Sequence, residues 1–193
     1  MRQQIDALGA LVGIVEVERG RHDLVADGED AEDALHRARA AEKIVIKDGI
    51  TNDGRLLARK VTGYTDAGAY SRHSPYGAQK GAAHYPGPYT VPNVWIDTYC
   101  VYTNRTPSSA MRGFGVTIGD FALESQMDQV ARHLGMDPME LRLINAYRDG
   151  DTKAHRKTVE GAALVEVIQA AARQTGKELA PRFAAMSSYQ REA

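Results

Sequence analysis

An α+β fold is predicted: a small antiparallel or mixed sheet followed by two to three helices. Three observations carry it. Ile44, Val45 and Ile46 form a β-branched run that turns at glycine-rich sites and returns over Leu56 to Tyr64, which describes a hairpin. Residues 94 to 102 alternate, with Val94, Ile96, Thr98, Cys100 and Tyr102 on one face and Trp95, Asp97, Tyr99 and Val101 on the other. Beyond residue 115 the period lengthens: Leu123, Met127, Val130 and Leu134 recur at the three-to-four spacing of one buried helix face.

Residues 1–43 differ in texture. They are acidic and Ala-rich, and Ala31, Ala34, Leu35, Ala38 and Ala41 form a thin apolar stripe on a predicted helix from about 29 to 42. This segment carries no nameable chemistry. The main unit is placed at 44–175. Its hairpin carries turn signals at Asp48-Gly49 and at Asn52-Asp53-Gly54. Residues 66–92 are small, polar and rich in proline and glycine, and read as an irregular loop that is functional or covered by a partner. Gly135 ends the first long helix. Asp137-Pro138-Met139-Glu140 then supplies a cap, a proline in the first turn and an acid at the third position, and Leu141, Ile144 and Tyr147 continue a short helix. A third helix over 163–174 is expected to bury Leu164, Val167, Ile168 and Ala171. The tail, 176–193, reads as poorly structured.

The 193 residues suffice for one domain or a domain with a tail. A formal net charge of -1 gives no electrostatic reason to bind nucleic acid or an anionic membrane. The single cysteine, Cys100, excludes an internal disulfide and a cysteine-held iron–sulfur cluster, and reads as a small core residue. No run of 18 apolar residues predicts a membrane span, and the N-terminus lacks a secretory signal, so the cytoplasm is the expected location.

The chemistry concentrates at 104–115, N-R-T-P-S-S-A-M-R-G-F-G. Gly113 and Gly115 flank Phe114 and let the backbone come close to a bound group, while Arg112 offers five fixed donors to an anion or a polar ring edge. The bend feeds a helix whose first amides could cradle an anion. The alternative reading is a tight strand-to-helix turn whose glycines only permit packing. His22, His36, His73, His84, His133 and His155 show no metal-ligand spacing. Ser74, Ser108 and Ser109 lack the context of a hydrolase nucleophile. Tyr64, Tyr70, Tyr76, Tyr85 and Tyr89 have no basic stripe beside them and read as packing residues.

Taken as one block, Val91 to Gly150 resembles the large subunit of molybdenum hydroxylases, the xanthine dehydrogenase and aldehyde oxidase family. The resemblance rests on the small-x-Arg-Gly-Phe-Gly turn, a helix with inward Glu124, and the series Gly135, Pro138, Arg142, Asn145, Gly150 and Asp151. It extends to K-D-G-I-T-N-D-G-R-L-L-A-R-K-V, D-A-G-A-Y-S and E-G-A-A-L, about 45–175 in all. It implies part of a molybdopterin-binding domain. Arg112, Gly113 and Gly115 would contact the molybdenum–molybdopterin cofactor, and Phe114 would line the pocket of an aromatic heterocycle or aldehyde. Glu124 is implied to be structural. The family's Gly-x-Gly-Glu segment, which carries the catalytic base, does not occur, nor does its Phe-Gly-x-Lys segment. The family lead-in is not recognisable in 1–43. FAD and iron–sulfur parts are also missing, so the implied partners are the remaining molybdopterin, iron–sulfur and flavin portions. Alone, the chain is expected to lack turnover, either as a split subunit or as a non-catalytic truncated or assembly module.

Overall fold

The computed structural model describes residues 11–18, through their backbone alone, and residues 40–189. Four strands form one sheet in the order β1 (Leu11–Glu18), β2 (Glu42–Ile50), β3 (Leu56–Gly68) and β4 (Asn93–Tyr102). The first two pairings are antiparallel and β3 pairs with β4 in parallel, so the sheet is mixed. The helix expected over 29–42 falls largely outside the described residues; at its end Glu42 already opens β2.

A parallel pair needs a crossover connection, usually a helix. That helix is α1 (Ser74–His84), inside the stretch expected to be an irregular loop. The correction has a physical cause. Pro75 sits in the first turn, where no amide is lost. Gly77 and Gly81 lie one turn apart on the buried side, where a Cβ would meet the Phe114 ring at 3.0 Å and the Gly115 carbonyl oxygen at 2.8 Å. Residues that usually break helices are packing positions here.

The first turn signal also differs. Asp48 and Gly49 belong to β2, and the chain reverses at 51–55, where the Thr51 and Arg55 backbones bond at 3.0 Å. Asp48 faces Arg59 across the hairpin in a fully buried, two-pronged ion pair at 2.7 and 2.9 Å. The Arg59 guanidinium also donates to the Pro86 carbonyl. Each of the three guanidinium nitrogens thus has an acceptor, which offsets a charge that would otherwise be costly to bury.

Helix α2 (Val116–Leu134) lies against the sheet and ends at left-handed Gly135, as its periodicity predicts. Leu123, Met127 and Val130 join Ile50, Leu56, Tyr89 and Leu141 in one cluster; Ile118 and Ala122 join Ile44, Ile46, Val61 and Tyr85 in another. Helix α3 (Pro138–Asn145) starts as its cap predicts, with Asp137 Oδ1 accepting from the amides of Met139 and Glu140. Helix α4 (Leu164–Gln174) buries Val165, Gln169 and Ala172 and leaves Val167 exposed, a face rotated from the expected one. The cause is the tail. Residues past 176 are ordered through the short helix α5 (Pro181–Ala184): Phe183 is buried with Leu143, Ala146 and Val165, and Gln169 donates to the carbonyls of Phe183 and Met186.

Candidate functional site

The bend at 104–115 is held at the end of β3. Asp66 gathers it: Oδ1 accepts from the Thr103 hydroxyl at 2.6 Å and the Gly68 amide at 2.8 Å, Oδ2 pairs with Arg105, and the Asp66 carbonyl accepts from the Ser108 hydroxyl. Ser74, the first residue of α1, shares a 2.7 Å hydroxyl contact with Ser108 and donates to its carbonyl. Gly68 has φ +75°, and a Cβ there would meet Thr106 and Pro107 backbone at 2.5 and 2.6 Å. Chain crosses chain with no room for a side chain.

Arg112 and Gly113 are exposed, while Phe114 and Gly115 are half-buried. Phe114 lays its ring on Gly77 of α1. Gly115 adopts φ +74° and caps α2; a Cβ on it would come within 2.1 Å of the Gly77 carbonyl oxygen. On Gly113, φ +79°, a Cβ would meet the Thr117 methyl at 2.6 Å. Both glycines therefore meet a local packing demand. The Gly113 carbonyl accepts from the amides of Val116 and Thr117, whereas the amides of Gly113, Phe114 and Gly115 donate to no protein acceptor among the described residues. Arg112 and three amides at a helix start form a donor-rich, electropositive rim.

Beside it lies a cleft of about 20 Å³, lined by Ser109, Met111, Phe114 and Gly115 on one side and Glu42, Thr65 and Ser74 on the other. That volume holds about one water. The described residues do not by themselves enclose an aromatic substrate. Glu42, Asp66 and Ser74 are site neighbours that sequence reading did not single out as such. Only the alternation of β2 and β3, which puts Glu42 and Thr65 on the inner face, could have signalled the first.

Glu124 pairs with nearby donors, the pairing expected of it. Its carboxylate accepts from Tyr89 at 2.8 Å and from Arg142 Nε at 2.7 Å, and Arg142 also reaches Asp128 and the Pro138 carbonyl. Burial, then the Glu124 charge, pushes the Tyr89 phenol far above its ordinary range. Cys100 is half-buried rather than sealed in the core, and burial followed by the Asp66 carboxylate pushes its thiol up, so it is a poor nucleophile. Among the described residues no three histidine, cysteine or carboxylate side chains gather as a metal site, and no helix is long and apolar enough to cross a membrane.

Residues 29–146 match the model of the molybdopterin cofactor-binding domain. The chain belongs to this family. The match begins within the N-terminal segment that shows no family lead-in to the eye, and it includes the 112–115 bend with α1 and α2. Nicotinate dehydrogenase large molybdopterin subunit of Eubacterium barkeri is 41% identical over 126 residues, 65% of this chain and 30% of that protein. Aldehyde oxidoreductase of Megalodesulfovibrio gigas is 32% identical over 185 residues, 95% of this chain and 20% of that protein. Among solved structures, quinoline 2-oxidoreductase from Pseudomonas putida 86 superimposes with a TM-score of 0.70 at 28% identity, covering 77% of this chain and 20% of that one. The molybdopterin cofactor-binding domain described here therefore spans less than a third of these relatives' lengths. It corresponds to a part of the molybdopterin cofactor-binding domain of xanthine dehydrogenase and aldehyde oxidase type enzymes.

Proposed function

We propose that the 112–115 bend holds the molybdopterin cofactor within a composite site completed by other parts of a molybdenum hydroxylase. The observation that carries this reading is the rim itself: the amides of Gly113, Phe114 and Gly115, which have no protein acceptor among the described residues, at the start of a 19-residue helix and beside the exposed Arg112. That donor set suits a ligand rich in anionic and ring oxygen acceptors. When bound, the cofactor supplies a two-electron redox centre for hydroxylation with water as oxygen source. Arg112 would anchor an acceptor edge, the amides of Gly113 and Gly115 would fix its orientation, and Phe114 would wall the substrate side. The substrate class in this reading is an N-heterocycle or an aldehyde, and the cytoplasm is where the assembly works.

The small cleft supports a division of labour: the rest of the pocket, the base and the electron acceptors come from the portions that this chain does not contain. To test this, the chain is purified with the polypeptides that copurify from its source cells, and molybdenum and pterin are assayed. Stoichiometric molybdenum in the assembly supports the reading; a fully assembled complex devoid of both counts against it. A non-catalytic assembly role is the second reading, favoured by one observation: Gly113 and Gly115 are each already explained by contacts within the chain.

A further inference from the structure

A second cleft, of about 350 Å³, opens at the other end of the sheet, where β3 and β4 begin. Thr65 borders the bend at 112–115 and Leu57 lines this cleft; eight residues apart on β3 at about 3.3 Å each, they put the two places roughly 26 Å apart. The volume falls in the range of small-molecule sites.

Its walls are fixed by internal hydrogen bonds. Asn145, buried behind the cleft, accepts from the Leu56 amide at 2.8 Å and donates to the Gly54 and Leu141 carbonyls. Asp151 accepts from the Thr90 hydroxyl at 2.6 Å and the Arg148 amide at 2.9 Å. The Arg148 guanidinium is spent on the carbonyls that end α3, those of Leu143, Ile144 and Ala146. Ile144 and Met186 give the cleft half-buried apolar sides.

The charges do not balance. Three guanidinium groups line it, those of Arg55, Arg148 and Arg182, against two carboxylates: Asp53, 3.3 Å from Arg55, and Asp151, which accepts from the Arg148 backbone amide. Arg182, exposed at the rim, has no carboxylate within ion-pair distance among the described residues, and its guanidinium is held 4.3 Å over the Phe183 ring. One cation is left over, already oriented, above a cleft whose walls are polar on one part and apolar, at Ile144 and Met186, on another.

We propose that this cleft binds a small monoanionic carboxylate with an apolar body, the carboxylate on Arg182 with support from Arg55 and the body between Ile144 and Met186. A carboxylate matches a single spare charge and the flat guanidinium fork; a phosphate monoester, with close to two charges, does not. The site is separate from the cofactor rim and stands whether or not that rim holds molybdopterin.

The test titrates the full chain with 4-phenylbutyrate and with the neutral 4-phenylbutanamide, by calorimetry at low salt. Saturable binding of the acid is expected, at least tenfold weaker for the amide and at least tenfold weaker for the acid in Arg182→Gln, with a smaller loss in Arg55→Gln and none in Lys60→Gln. Equal affinity for acid and amide overturns the proposal, as does unchanged binding in Arg182→Gln or no saturable binding at millimolar concentrations. The acid–amide comparison uses the wild-type chain, so it decides even if a variant folds poorly.

Discussion

A Cβ on Gly115 would stand 2.1 Å from the carbonyl oxygen of Gly77, so the residue after Phe114 touches the backbone of α1 directly. Side-chain contacts relax; a backbone contact at a positive φ does not. Gly115→Ala should cost at least about 2 kcal/mol through strain and overpacking. Gly113→Ala should cost less, because its neighbour is the Thr117 methyl, which can turn away. Urea unfolding of the two variants checks the order, and equal midpoints for Gly115→Ala and wild type would show that α1 yields.

The buried pair of Asp48 and Arg59 makes a second prediction. Asp48→Ala leaves a guanidinium uncompensated in a sealed site and should cost about 3–5 kcal/mol. Asp48→Leu combined with Arg59→Met removes both charges and should recover much of that loss. Denaturant melts of the single and double variants decide; a double variant no better than the single would mean that losing the Arg59 hydrogen bond to Pro86 costs as much as the unpaired charge.

Phe183 gives a third. It is 1% exposed and packs on Leu143, Ala146 and Val165, so Phe183→Ala should cost about 3–5 kcal/mol. A loop-like tail would tolerate the change with no shift in Tm.

The fourth concerns acid. Burial opposes ionisation of Glu166, but the Ser188 hydroxyl at 2.6 Å, the Ser188 amide at 2.8 Å and Ser187 outweigh it and hold the carboxyl below its ordinary range. A carboxyl whose folded value is depressed stabilises the fold above its unfolded value and loses that contribution as pH falls through the folded one. Stability should therefore drop below about pH 4.5, more steeply in wild type than in Glu166→Gln. Parallel stability–pH curves would show that the contact with Ser188 does not anchor the tail.

Sequence made the long-range architecture readable wherever one period ran uninterrupted. Leu123, Met127 and Val130 announced α2, Asp137 and Pro138 announced α3, and the alternation of β4 held from Val94 to Cys100. It failed where a residue's usual local role was overridden by packing. Gly77 and Gly81 look like breakers, yet they let α1 lie against the bend. Asp48 looks like a turn residue until Arg59 is seen opposite it. The buried face of α4 is not legible from its own period, because Phe183, nearly twenty residues past the start of the helix, decides which side is covered. The Arg112–Gly115 motif was visible in the sequence; that its glycines also serve α1 and Thr117 was not, since both contacts depend on how the helices are placed.

The most direct measurement is the molybdenum and pterin content of the assembled complex carrying Arg112→Gln, set beside wild type. Arg112 is exposed, so the variant should keep its melting temperature and its partners while bound cofactor falls at least tenfold. Full cofactor occupancy in an intact Arg112→Gln complex would contradict the account.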